Sequence, residues 1–160
     1  MRIRDDRRTL CLTRPLANVG QVYEWLDSVG VRKAIPPEHL HMTVATVRTP
    51  VDWSGLVVQD DVLTIPAGLK SIQIFAYTIK AMTFGHPQVK ARHEEVLAMF
   101  PEMDHPILRP HVSLYKGGRM PHACYDGPLV FGPERAEEFD LERAHGLKHV
   151  RIRDVLDATT

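Results

Sequence analysis

The sequence predicts an α+β protein built as two similar sheet-bearing lobes that face each other across a cleft. Three observations point there. Alternating apolar spacing and three-to-four-residue apolar spacing succeed one another as strand, helix and strand, and do so twice along the 160 residues. Each repeat ends in a strand that opens near a histidine, His41 in one and His111 in the other. No low-complexity linker divides the repeats, so residues 1–160 are expected to form one domain of two intertwined lobes.

Residues 9–13 read as a short buried strand closed by Arg14-Pro15, since proline removes a ladder donor. Asn18 is placed as a helix cap. Val19, Val22, Tyr23, Leu26 and Val29 then recur at helical steps, predicting an amphipathic helix over 19–29 that Gly30 stops. Ile35-Pro36-Pro37-Glu38 cannot continue a helix, and 40–47 alternates with β-forming residues until Thr49-Pro50 ends it. A short apolar run at 62–65 precedes two segments, 69–76 and 77–84, that can pair as antiparallel strands. Pro87 sits in the first turn of a helix whose Val89, His93, Val96, Leu97 and Phe100 trace one face up to Pro101. Pro106 to Pro110 leads into the alternating segment 111–116, closed by Gly117-Gly118, and strands at 127–131 and 147–152 complete the sheet.

Composition narrows the function. A chain 44% hydrophobic and 25% charged is neither disordered, collagen-like nor coiled-coil. Twenty basic against twenty acidic residues leave no net charge, which disfavours long nucleic acid or an anionic membrane as partner and leaves room for a small, locally gripped anion. Met1-Arg2-Ile3-Arg4-Asp5-Asp6-Arg7-Arg8 lacks the apolar core of a secretion signal, and no stretch reaches the ~20 apolar residues of a membrane span, so a cytoplasmic protein is expected. Cys11 and Cys124 are read as reduced structural thiols.

The most informative feature is a repeated tetrapeptide, His41-Met42-Thr43-Val44 and His111-Val112-Ser113-Leu114. In a strand, alternate residues share a face, so His41 and Thr43 point one way while Met42 and Val44 enter a core; His111 and Ser113 do the same. At this composition about one histidine in fifty would start such a pattern by chance, so a single copy means little and two copies after similar strand-helix units mean more. Two imidazoles and two hydroxyls in one cleft suit phosphodiester chemistry without a metal. A neutral histidine takes the proton of the attacking hydroxyl, a protonated one gives a proton to the leaving oxygen, and the hydroxyls bond the non-bridging oxygens as charge builds. If the attacking group is a ribose 2′-hydroxyl, a 2′,3′-cyclic phosphate forms; if it is water, such a phosphate is opened.

These two tetrapeptides resemble the signature of the two-histidine phosphoesterase superfamily, which includes RNA cyclic phosphodiesterases and 2′-5′ RNA ligase-like proteins. The resemblance implies a bilobal, pseudo-symmetric α+β fold, two antiparallel-rich sheets flanking a central cleft with helices outside. Within the superfamily the chain looks most like the short bacteriophage anti-CBASS nucleases, which destroy the cyclic oligonucleotide messengers of bacterial antiphage defence. Pro37-Glu38-His39-Leu40, Thr49-Pro50-Val51-Asp52-Trp53, Arg109-Pro110 and Phe131-Gly132-Pro133-Glu134 add to the likeness. What it implies is a monomeric, metal-independent and cofactor-free phosphodiesterase. His41, Thr43, His111 and Ser113 would open 3′-5′ bonds of cyclic di- or trinucleotides there, in the host cytoplasm if phage-encoded. The alternatives are an RNA-end-processing 2′,3′-cyclic phosphodiesterase and a module that sequesters a nucleotide without cutting it.

Further substrate contacts are expected from Tyr115, which shares the predicted face of His111 and Ser113, from His39 beside His41, from Trp53 as a stacking platform, and from Lys116 and Arg109 as phosphate partners. His145 and His149, four apart, lack a carboxylate to complete a metal set. Glu134, Glu137, Glu138, Asp140 and Glu142 read as a solvated acidic face, and Gly117-Gly118-Arg119 as a turn.

Overall fold

The structure is a computed structural model and describes residues 7–76, 78–139 and 148–158. The chain opens with β1 (Arg7–Pro15), in which Leu10, Leu12 and Arg14 are buried at every second position, followed by α1 (Val19–Ser28). Val22, Tyr23 and Leu26 form the buried face of α1, and the helix gives way to Gly30 at φ +83°, a left-handed position that suits glycine. Asn18 does not cap the helix with its side chain. Its amide donates to the Gln21 side chain and the Pro128 carbonyl, and its oxygen accepts the Val130 N–H, so it ties the helix entry to a distant strand.

A two-residue strand β2 (Lys33–Ala34) and a 3-10 turn (Pro37–His39) lead into β3 (His41–Asp52). The expected stop at Thr49-Pro50 is not one. The register with β1 jumps from Leu10↔Val47 to Arg8↔Val51, and the jump leaves Pro50 in a bulge, where no ladder donor is needed, so the strand resumes to Asp52. β4 (Leu63–Ile65), β5 (Ser71–Phe75), β6 (Ile79–Thr83), α2 (Pro87–Met99) and β7 (His111–Lys116) follow. β5 and β6 pair antiparallel in register from Ser71↔Thr83 to Phe75↔Ile79, as the sequence anticipates. Pro87 opens α2 at N1, and the His86 ring accepts the Gln88 N–H.

β8 (Leu129–Phe131) pairs with β4 in a ribbon apart from the main sheet. β9 (Arg135–Glu137) adds an edge to β1. Of the expected strand over 147–152, Leu147 lies outside the described residues, and the rest gives β10 (Val150–Arg151), which pairs with β2; α3 (Ile152–Ala158) follows it. Ile152 is fully buried, and Val155 and Leu156 pack against the core at helical spacing from it.

The main sheet runs β5-β6-β7-β3-β1-β9. It consists of two three-stranded halves, each built on an antiparallel pair whose members are separated in sequence by a helix: β1 and β3 around α1, β6 and β7 around α2. The halves join where Met42 pairs with Val112, and both side chains are buried at that seam. The repeat read from the sequence is thus a pseudo-twofold arrangement whose axis passes between the two histidine motifs. Among the described residues no helix is long and apolar enough to cross a membrane.

Candidate active site

Both motifs keep the alternation that strand geometry demands. Met42, Val44, Val112 and Leu114 are buried, Thr43, His111 and Ser113 are half-buried, and His41 is exposed. The Met42↔Val112 pairing sets, by antiparallel register, His41 across from Ser113 and Thr43 across from His111. Thr43 of the first motif and His111 of the second line one cavity of about 290 Å³ together with Phe75, His93, His105 and Arg109.

The two histidines are wired alike. The Nδ1 of His41 lies 2.7 Å from the His39 carbonyl, and the Nδ1 of His111 lies 2.7 Å from the Arg109 carbonyl. A carbonyl oxygen only accepts, so each Nδ1 carries the hydrogen and donates it. In the neutral imidazole Nε2 is then the basic nitrogen, and in the imidazolium Nε2–H is the proton available for transfer. His111 is further fixed by Phe75, whose ring stacks on it with centroids 4.3 Å apart and planes 14° from parallel. Arg109 lies over the other ring system of that stack, 4.9 Å from the Phe75 centroid, and donates to the Gln73 side chain at 2.7 Å. Behind Thr43, the buried His93 has its two ring nitrogens 2.8 Å from the Val44 carbonyl and 3.2 Å from the Pro106 carbonyl, which binds α2 to β3 and to the approach of the second motif.

The remaining candidates separate. Arg109 stands beside His111, and His39 contributes its carbonyl to His41. Tyr115 does not share the face of His111 and Ser113. The β6 register steps from Ala81↔Ser113 to Lys80↔Tyr115, a bulge at Leu114 that leaves Leu114 and Tyr115 both buried, and the phenol donates to the Arg119 carbonyl at 2.6 Å. Burial raises the Tyr115 pKa, which keeps it a neutral donor. Trp53 stands at the far end of β3, roughly 30 Å along the strand from Thr43. Its indole N–H donates to the Arg8 carbonyl, and the Arg8 guanidinium covers its ring at 3.9 Å, so it is not a platform in the cleft. Lys116 lies on a second cavity at the other end of β7.

Sequence reasoning missed Phe75, because spacing within the 69–76 segment does not show that the second motif lies beside it. It also misplaced Glu134. That side chain is fully buried and forms a two-pronged pair with Arg92, at 2.8 and 2.9 Å, rather than a solvated face. Glu137 and Glu138 are exposed, while Asp140, Glu142 and His145 lie outside the described residues. Cys11 is half-buried on β1 and Cys124 is exposed, and no disulfide joins them. Among the described residues no group of three or more His, Cys, Asp or Glu side chains is placed to hold a metal ion.

Twin three-stranded halves joined at a seam flanked by His-x-Thr and His-x-Ser define a two-histidine phosphoesterase fold. Solved structures of E. coli LigT share it: the complex with 3′-AMP has a TM-score of 0.55 at 12% identity, and the complex with ATP 0.53 at 12%, each likeness covering 91% of this chain and 95% of LigT. Residues 8–146 match the family described as anti-CBASS protein Acb1, and the chain belongs to that family. Two relatives, the anti-CBASS proteins Acb1 of Caulobacter sp. (strain RHG1) and Sphingomonas paeninsulae, are 30% identical over 143 residues and 26% identical over 139. These matches cover 83% and 79% of this chain but only 23% and 22% of the relatives, so the chain spans less than a quarter of their length.

Proposed function

We propose that this chain is a metal-independent phosphodiesterase that opens 3′-5′ linkages of cyclic di- or trinucleotides and so disarms a nucleotide-signalled antiphage defence. The observation that carries the reading is the matched wiring of the two imidazoles, each with Nδ1–H held by the carbonyl two residues earlier, on strands that meet between them. With each Nδ1–H held, Nε2 is the nitrogen through which each ring exchanges protons. One neutral Nε2 removes the proton of the attacking hydroxyl, and the protonated Nε2 of the other histidine delivers a proton to the leaving oxygen. Because both rings are held alike at Nδ1, they can exchange roles between a cyclising step and a hydrolytic one. Thr43 and Ser113 donate to the non-bridging oxygens as charge develops there, and the Arg109 guanidinium adds positive charge beside His111. Membership of the Acb1 family supports a cyclic oligonucleotide as substrate. The zero formal charge supports a compact ligand over a long RNA.

The test is incubation with cyclic dinucleotides, cyclic trinucleotides and RNA ending in a 2′,3′-cyclic phosphate, with products resolved by mass. Linearised nucleotide, formed equally with and without a chelator, supports the reading. Turnover of the RNA end alone assigns the chain to RNA-end processing, intact ligand recovered from a tight complex assigns it to sequestration, and loss of turnover with chelator overturns the metal-free mechanism.

A further inference from the structure

At the end of β7 away from His111, a second cavity of about 660 Å³ opens between the α1–β2 connection, the loop after β7 and the segment before β10. Its volume is that of a small-molecule site. Arg32, Lys33, Lys116, Arg119, His122 and His149 line it, and no carboxylate does so among the described residues. In a chain with no net charge, four cations around one concavity are a local concentration that the totals conceal. Their effect is visible on His149, whose pKa is pushed below the usual 6.5 by burial and then by the charges of Lys116 and Lys33. The interior of the cavity is therefore electropositive, and an anion placed there favours the charged forms of the cations around it.

The wall is built rather than loose. The Tyr115 phenol holds the Arg119 carbonyl, the Lys80 ammonium holds the carbonyls of Gly117 at 2.9 Å and Thr78 at 3.3 Å, and the Gly117 N–H donates to Thr78. Gly117 and Gly118 take φ of +72° and +70°, which glycine alone adopts without strain. On the opposite wall, Lys33 pairs with Arg151 in the β2–β10 ribbon, which fixes it beside the segment carrying His149. Val31 and Met120 give the same cavity apolar surface suited to a sugar or a base.

We propose that this basic cavity is a second nucleotide-binding site, taking the phosphate of a nucleotide between Lys33, Lys116 and Arg119 and its nucleoside against Val31 and Met120. Lys116 lies five residues beyond His111, about 17 Å along the strand, so the cavity is separate from the motif cleft. The occupant is either the far end of a ligand whose other phosphate sits at the motifs or an independent nucleotide.

The test is a titration of the full chain with ADP, followed through the imidazole resonances of the histidines. ADP has no 3′-5′ diester, so the result does not depend on the hydrolytic reading, which stands or falls on its products. The His149 resonance should shift to saturation with a Kd below about 1 mM, and Lys33→Glu combined with Arg119→Glu should weaken that Kd at least tenfold, while Lys33→Arg with Arg119→Lys preserves it. A His149 signal that does not move, or that moves with the same Kd in the charge-reversed variant, overturns the site. A linear adenosine trinucleotide then distinguishes the two sources. His111 and His149 respond together at one affinity if one ligand spans both places, and at two affinities if they are filled independently.

Discussion

Replacing Glu134 by glutamine tests how the loop 57–61 and the segment 132–134 are anchored to the strands and helix beside the cleft. The carboxylate accepts from Arg92 at 2.8 and 2.9 Å and from the Gln59 N–H at 2.9 Å, with its side chain wholly out of solvent. Arg92 is itself 7% exposed and also donates to the Val57 carbonyl and to Glu95. Glutamine keeps the shape but turns one oxygen into a donor facing a guanidinium and leaves a buried cation without its main counter-charge. Breaking one side of such a buried pair costs about 3–5 kcal/mol. At about 2–4 °C per kcal/mol for a domain of this size, Tm should fall by roughly 6–20 °C. Glu95→Gln is the control. Glu95 contacts the same guanidinium at 2.7 Å, but its side chain is 61% exposed and screened by water, so its loss should cost at most about 1 kcal/mol. Urea unfolding followed by circular dichroism gives both numbers. If the two variants fall within about 1 kcal/mol of each other, burial does not set the strength of this pair and the reasoning fails.

Three other outcomes are expected. His41→Asn and His111→Asn should each lower kcat on a cyclic dinucleotide by about 10²–10⁴ with little change in KM, and Thr43→Val or Ser113→Ala by about 10²–10³; a histidine variant within tenfold of the parent would remove that ring from proton transfer. Phe75→Leu removes the stack that orients His111 but not its Nδ1 bond, so kcat should fall by about 10–100-fold with KM nearly unchanged, and an unchanged kcat shows that the Arg109 carbonyl alone positions the ring. His149 has a folded pKa below its unfolded value, so below about pH 6.5 the unfolded chain binds its proton first and stability declines as pH falls toward the folded pKa. His149→Gln should make urea midpoints at pH 5 and 7.5 lie closer together, and an unaltered gap would refute the assignment.

How much was legible in the chain depended on how local the deciding interaction was. Strand 111–116 could be read to its bounds because Val112 and Leu114 alternate within it and paired glycines end it. The segment 147–152 could not. Val150 and Ile152 satisfy a strand's period, yet Ile152 also begins the 152, 155, 156 spacing of α3, and only packing against the core decides between them. β9 escaped because an edge strand needs one partner and Arg135-Ala136-Glu137 carries a single apolar residue. The bulge that turns Tyr115 inward depends on which residues of β6 oppose it, and the burial of Glu134 on Arg92, 42 positions away. Neither partner can be found by spacing. The motif residues were legible because histidine, core residue and hydroxyl lie within three positions of one strand.

The same compactness places the motifs at the seam of the sheet. Met42 and Val112, the residues between histidine and hydroxyl in each motif, are the pair that joins the two halves of the sheet. Each seam residue is therefore flanked on its own strand by the histidine and the hydroxyl of its motif. A full ladder between β3 and β7 would hold them 4.7–4.9 Å apart and press His41 against Ser113, leaving no room for a phosphate between them. β3 and β7 pair at this one position, while β1–β3 and β6–β7 pair over most of their lengths. The imidazoles are oriented by backbone carbonyls two residues upstream in the same segment of chain, so their hydrogen bonds do not depend on pairing across the seam.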